Sequence, residues 1–107
     1  MNDHNHRKAI AMFKDREAGI LEETEKGFKF TYNESFIKNG ASISVSMPIT
    51  KKIHESSKLF PFFEGMLPEG WYLDIVTKKL KIDKNDAFGL LIATSNSTIG
   101  AVWIKNI

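Results

Sequence analysis

The sequence has no cysteine, which excludes disulfide frameworks, thiolate zinc sites and cysteine nucleophiles. This fits a reducing compartment, and a cytoplasmic protein is the expectation. Long apolar runs are also missing. None approaches the roughly 20 residues that a membrane-spanning helix needs. The opening Met1-Asn-Asp-His-Asn-His-Arg-Lys8 lacks the apolar stretch of a secretory signal. Histidine is scarce, with His4 and His6 in a polar N-terminal segment and His54 in a polar connection. A structural zinc site needs about four ligands, so neither a metal nor another cofactor is expected, and His54 reads as solvated. No charge of one sign dominates: 15 Lys+Arg against 13 Asp+Glu leave a formal charge of +2. Lys8, Lys14, Arg16, Lys26, Lys29 and Lys38 alternate with acids, whereas phosphate-backbone binding requires clustered cations. The one local excess, Lys78, Lys79 and Lys81, closes a predicted helix, where it complements the macrodipole.

What is present is 107 residues, 42% of them hydrophobic, enough for the core of one domain and too few for two. The expected organisation is a flexible tail over 1–7 and a single domain over 8–107. Lys8–Phe13 and Ala18–Glu22 read as a hairpin around the polar turn Lys14–Glu17. After a second turn at Glu25-Lys26-Gly27, the rings of Phe28, Phe30 and Tyr32 recur at period two and define one buried strand face. Asn33 can cap one helical turn over Glu34–Ile37, before an Asn39-Gly40 turn. Ser42–Ser46 alternates small polar and β-branched residues and reads as a strand ended by Met47-Pro48.

Ile49–Lys58 reads as a polar connection. Leu59–Phe63 enters a short helix with Pro61 at its first position. Beyond the break at Gly65–Pro68, a helix is predicted over Glu69–Lys81 with Tyr72, Leu73, Val76 and Leu80 as its apolar stripe. Asp83 or Asn85 can cap a buried helix over Asp86–Thr94. Ser95–Thr98 reads as a loop, and Ala101–Ile104 as a strand returning to the sheet with Trp103 in the core. Strands, then helices, then a closing strand predict an α+β domain. Its small antiparallel sheet comes from the N-terminal half plus the C-terminal strand, packed with two or three helices from the second half.

Catalytic signatures are missing. There is no phosphate-binding glycine loop, and His6-Arg7-Lys8 has lysine where a kinase catalytic loop has aspartate. Glu64 and Glu69 flank the Met66-Leu67-Pro68 break, and Glu69 reads as a first-turn carboxylate offsetting the helix dipole. Trp71 fits the core least well. At about 100° per residue it projects about 140° from Val76, onto the face carrying Asp74, Lys78 and Lys81. A tryptophan on a polar face is either covered by the preceding Phe-rich segment or is an aromatic anchor for a partner. Gly70 beside it permits close approach of another backbone. The Phe60, Phe62 and Phe63 group, beside an amphipathic helix, reads as core.

Pro61-Phe-Phe63 followed by Leu67-Pro-Glu-Gly70 resembles the N-terminal subdomain of HipA-type serine/threonine kinases, toxins of bacterial toxin–antitoxin modules. Asp86–Ala93 and Ile99–Ile104 resemble that subdomain's penultimate helix and closing strand. Ser42–Pro48 resembles its strand before a Leu-Pro turn, with Met47 in the leucine's place. The resemblance runs from about Lys8 to the end of the chain and contains no kinase core. A free-standing version is similar to the small third component of tripartite HipBST modules. The resemblance then implies an antitoxin, not an enzyme. It would bind a HipT/HipA-like serine/threonine kinase toxin, with a HipB-like DNA-binding protein in the same complex. The expected contact residues are Glu69, Gly70, Trp71, Asp74 and Lys78, with Trp71 reaching toward the kinase active site. Two rivals are a structural or activating subunit that completes a split kinase, and a single-stranded nucleic-acid module stacking bases on Phe28, Phe30 and Tyr32.

Overall fold

The computed structural model describes residues 6–38, 42–96 and 101–106. Strands β1 (Lys8–Phe13), β2 (Arg16–Thr24) and β3 (Gly27–Tyr32) run in succession. Helix α1 (Glu34–Ile37), strand β4 (Ile53–Ser56), helices α2 (Pro61–Glu64), α3 (Gly70–Leu80) and α4 (Ala87–Thr94), and strand β5 (Val102–Asn106) follow. The strands form one antiparallel sheet in the order β4-β3-β2-β1-β5, so the fold is the expected α+β with the C-terminal strand in the sheet. The first hairpin is tighter than the sequence predicts. Phe13 pairs directly with Arg16, leaving only Lys14 and Asp15 in the turn, and Lys14 takes φ 56°.

The period-two aromatics of β3 organise the core. Phe30 and Tyr32 are fully buried, and Phe28 packs against the core from its margin. Each ring meets a different helix. Phe28 stacks on Phe88 of α4 at 6.3 Å, Phe30 lies 5.7 Å from Phe63 of α2, and Tyr32 stacks on Phe36 of α1 at 6.0 Å. Aromatic pairs at such distances contribute about 0.5–1.5 kcal/mol beyond area burial. Ala9, Leu21 and Ile104 complete the same sheet face. Gly19 is required there, since a Cβ would fall 2.7 Å from the Phe30 ring and against the Thr31 carbonyl. Phe60 and Phe63 are buried and Phe62 packs beside them, as their sequence context predicts.

The fourth strand is not where the sequence places it. Ser42–Ser46 has the alternation of a strand, but its serines bond locally. Ser44 Oγ accepts from the Ser46 amide at 3.2 Å, and the Ser44 carbonyl accepts from Met47 N at 3.1 Å. Short polar side chains that satisfy nearby backbone compete with a ladder in this way. The segment is held instead by Tyr32, whose hydroxyl accepts from Ile43 N at 3.2 Å and donates to the Met47 carbonyl. Burial pushes the Tyr32 phenol up, against the opposing pull of its bonds to Ile43 and Ser42, so it keeps the proton it donates. The edge strand lies within the expected polar connection: Thr31 pairs with Ile53 and Phe30 with His54. His54 is thus buried rather than solvated. Its ring stands edge-on to Tyr32, and Nε2 donates to the Pro48 carbonyl at 3.0 Å. The Asn39-Gly40 turn lies outside the described residues.

Helix ends follow side-chain chemistry. Asn33 caps α1 by accepting from Ser35 N at 3.2 Å, and Pro61 opens α2. The cap of α4 is Asp86 rather than Asp83 or Asn85. Asp86 Oδ1 accepts from Gly89 N at 3.1 Å, while the Asp83 carboxylate turns back to Asn85 N at 2.9 Å. Asp86 is also clamped by Arg7, which bonds both of its oxygens at 2.6 and 3.1 Å and both oxygens of Glu23 at 2.7 and 3.0 Å. Arg7, within the segment expected as tail, therefore ties the start of β1 to β2 and α4, with its guanidinium 5.3 Å over Phe88. Trp103 is only half-buried. It lies opposite Met12 on the other sheet face from Ile104, and its indole donates to the Lys14 carbonyl at 2.7 Å. The strand is therefore not sealed on both sides.

Arg7 holds the Asp86 carboxyl below its ordinary value, assisted by the Gly89 amide and opposed by burial. A carboxylate with a depressed folded pKa stabilises above its unfolded pKa and loses that contribution as pH falls through the folded one. Stability should therefore drop in acid below about pH 4. Urea titrations across that range should show Asp86→Asn flattening the acid limb, and Arg7→Ala costing about 1 kcal/mol at neutral pH, the upper end for partly exposed pairs.

Candidate functional site

Helix α3 is presented by the turn before it. Pro68 cannot continue a helix, Glu69 is extended at φ −132°, and Gly70 takes the left-handed φ of 58°. A side chain at Gly70 would meet nothing within 4 Å, so glycine is needed there for its backbone angle and the space beside it is open. Glu69 occupies the cap position rather than the first turn. Its carboxylate makes no cap hydrogen bond, while its carbonyl accepts from Leu73 N at 3.3 Å. Lys81 closes the helix in the left-handed conformation, with Lys78 and Lys79 in the last turn.

The stripe of α3 is narrower than its sequence pattern predicts. Val76 is its buried residue and Leu73 is half-buried, but Tyr72 is 50% exposed and Leu80 is exposed too. The pattern identifies an amphipathic helix, but the helix has no partner ring on β3 to draw the rest of the stripe inward. Trp71 is 74% exposed, with Tyr72 edge-on to it at 6.2 Å. The preceding Phe-rich segment packs into the core and leaves it open to solvent. Asp74 and Lys78 are exposed on the same side as Trp71 and, although spaced i,i+4, close no ion pair within 4 Å among the described residues.

One member was missed by the sequence reading. Ile75, 43% exposed, lies one turn beyond Trp71 and about 40° around the helix from it. The i,i+4 spacing of two large apolar residues off the core stripe was the available signal. The result is an aromatic and aliphatic strip (Trp71, Tyr72, Ile75) bordered by Asp74 and the Lys78, Lys79, Lys81 group. Chemically it offers contact area and charge. Among the described residues, no three His, Cys, Asp or Glu side chains converge on a metal-sized point. No described helix is long and apolar enough to cross a membrane. Phe30 and Tyr32 are sealed inside the domain, which removes the stacking platform that nucleic-acid binding would need.

This geometry is that of a known class of domain. The family model of the HipA N-terminal domain matches residues 9–105, and the chain belongs to that family. A protein of Haemophilus influenzae strain Rd is 36% identical over 87 residues, covering 81% of this chain and 80% of the relative. A solved structure of the N-terminal domain of HipA toxin superposes with a TM-score of 0.74 at 28% identity, covering all of this chain and 97% of that one. The match is to the N-terminal subdomain and not to a kinase catalytic domain.

If Gly70 sets the direction of α3 through its backbone angle, Gly70→Ala should cost about 1–2 kcal/mol in urea unfolding, since an L-residue with Cβ is disfavoured in that conformation. Gly70→Asn should cost less, because asparagine tolerates the left-handed region. Equal stability of both variants and the parent would remove glycine's assigned role.

Proposed function

We propose that this chain is a HipS-like antitoxin: a cytoplasmic, non-enzymatic docking protein that binds and neutralises a HipA-like serine/threonine kinase. The supporting observation is the exposed aromatic strip at the start of α3, on a helix that the core does not claim. Tryptophan and tyrosine dominate binding hot spots because each brings a large area into a desolvated pocket. Trp71 is the anchor in this reading. Tyr72 and Ile75 extend the contact, Glu69 and Gly70 shape the approach, and Asp74 and Lys78 supply charge at the rim. Phosphoryl transfer depends almost wholly on positioning. An indole lodged in the kinase site, or wedged between its lobes, would therefore block the reaction without any chemistry by this chain. A HipB-like DNA-binding protein would join the same assembly.

A second reading keeps the partner and reverses the effect. The solved structure it resembles is a domain of a toxin, so this chain could complete a split kinase as a structural or activating subunit. A phosphorylation assay separates the two: the antitoxin lowers the activity of a HipA-like kinase that lacks its own N-terminal subdomain, and the completing subunit raises it.

Trp71→Ala should weaken binding to that kinase by about 2 kcal/mol, roughly thirtyfold, and abolish rescue from toxicity in growing cells. Thermal stability should change by no more than about 0.5 kcal/mol, as for an exposed side chain outside the core. A folded Trp71→Ala protein that still protects fully would refute the anchor.

A further inference from the structure

The helices α1, α2 and α4 cover one face of the sheet through Phe36, Phe63 and Phe88. The register places two rows of residues on the other face. Ile53, Thr31, Ile20 and Ile10 lie side by side across β4-β3-β2-β1, and beside them run Glu55, Lys29, Glu22 and Lys8. Toward β5 the same face holds Met12, which is buried, opposite the half-buried Trp103. An antiparallel sheet with one solvated face ordinarily turns polar side chains outward. Here Ile20 and Ile53 are 40% and 44% exposed, and neither they nor Ile10 belongs to the core.

The charged row reads acid, base, acid, base. Turned end for end it reads base, acid, base, acid, which complements the original at every position. The apolar row aligns under the same operation, with Ile53 over Ile10 and Thr31 over Ile20. Although Glu22 lies directly between Lys8 and Lys29 in register, none of the four charges closes an ion pair within 4 Å among the described residues.

We propose that this open sheet face is a self-association surface, on which a second copy of the chain seats about a two-fold axis running along the strands between β2 and β3. Such an interface is isologous, each copy giving the same patch. Aligned sheets pack about 10 Å apart and rotated by about 30°. Lysine and glutamate side chains span that gap together, and the rotation favours the pairs closest to the axis. Glu22 of one copy therefore meets Lys29 of the other, twice. Four strands by two rows is a small patch beside the roughly 800 Å² per partner of a standard interface, so the dimer is weak and forms only at high concentration. None of these residues belongs to the α3 strip, and the pairing stands or falls independently of the kinase reading.

Sedimentation equilibrium of the full chain from about 10 µM to about 1 mM spans the affinities expected of such a contact. The expected result is a monomer–dimer equilibrium, weakened at least tenfold by Glu22→Lys alone and by Lys29→Glu alone. Each single variant sets like charges against each other across the axis. In an equimolar mixture of the two, Lys at 22 faces Glu at 29 and Lys29 faces Glu22, so the mixed dimer should recover the parent's affinity. Repulsion confined to one chain would not be relieved by mixing. Should either variant fail to fold by circular dichroism, amide chemical shifts of the parent on dilution decide instead, with Ile10, Ile20, Glu22, Lys29 and Thr31 expected to move. A monomer at about 1 mM, unaltered dimerisation of the single variants, no recovery on mixing, or shifts elsewhere would each overturn the proposal.

Discussion

Three of the four described helices of this fold hang on one strand of alternating rings. Phe28, Phe30 and Tyr32 are two residues apart, so all three point to the same side of β3, and each receives a ring from a different helix. Three short helices that would be marginal alone in water are fixed in this way to one rigid row. The Tyr32 hydroxyl extends the same control to irregular chain, holding the Ile43–Met47 segment by one accepted and one donated hydrogen bond. Arg7 does the corresponding work at the other end, joining β1, β2 and the cap of α4 through Glu23 and Asp86.

Helix α3 is the element left out of that scheme. No ring of β3 pairs with a ring of α3, and Val76 is its one buried residue. Its orientation comes from local backbone, through Pro68, the extended Glu69 and the left-handed Gly70. A helix fixed by its entry turn rather than by a wide packed face can keep large apolar side chains outside. Trp71, Tyr72 and Ile75 are therefore compatible with a well-formed core and need no defect in packing to explain them.

Much of this was legible from residues alone, where the local signal and the tertiary demand agree. The Phe28-Phe30-Tyr32 period, the Asn33 cap and Pro61 at a helix start are cases in which one residue type answers one geometric need. The misreadings have a common origin. Ser42–Ser46 and Ile53–Ser56 are both short alternating segments, and only pairing with β3 selects between them. Serine hydroxyls bonding to their own backbone decided against the first. Periodicity likewise marked α3 as amphipathic without saying how much of its stripe would be covered. Trp103 reads as core because its neighbours are apolar, yet the helices cover one face of the sheet, and Ile104 occupies it. The cap of α4 fell to Asp86 because Arg7, 79 residues away in sequence, holds its carboxylate in place, a contact no local pattern contains.

The separation of α3 from the aromatic row bears on how such a domain changes over evolutionary time. Residues at positions 71, 72, 75 and 78 can be rewritten without disturbing the rings that hold the frame together, because they lie outside the buried set. Under the docking role proposed for α3, specificity and foldability are then encoded in different parts of one short sequence. A lineage can change the exposed side of the helix while inheriting its scaffold intact, much as a tool handle accepts a new bit.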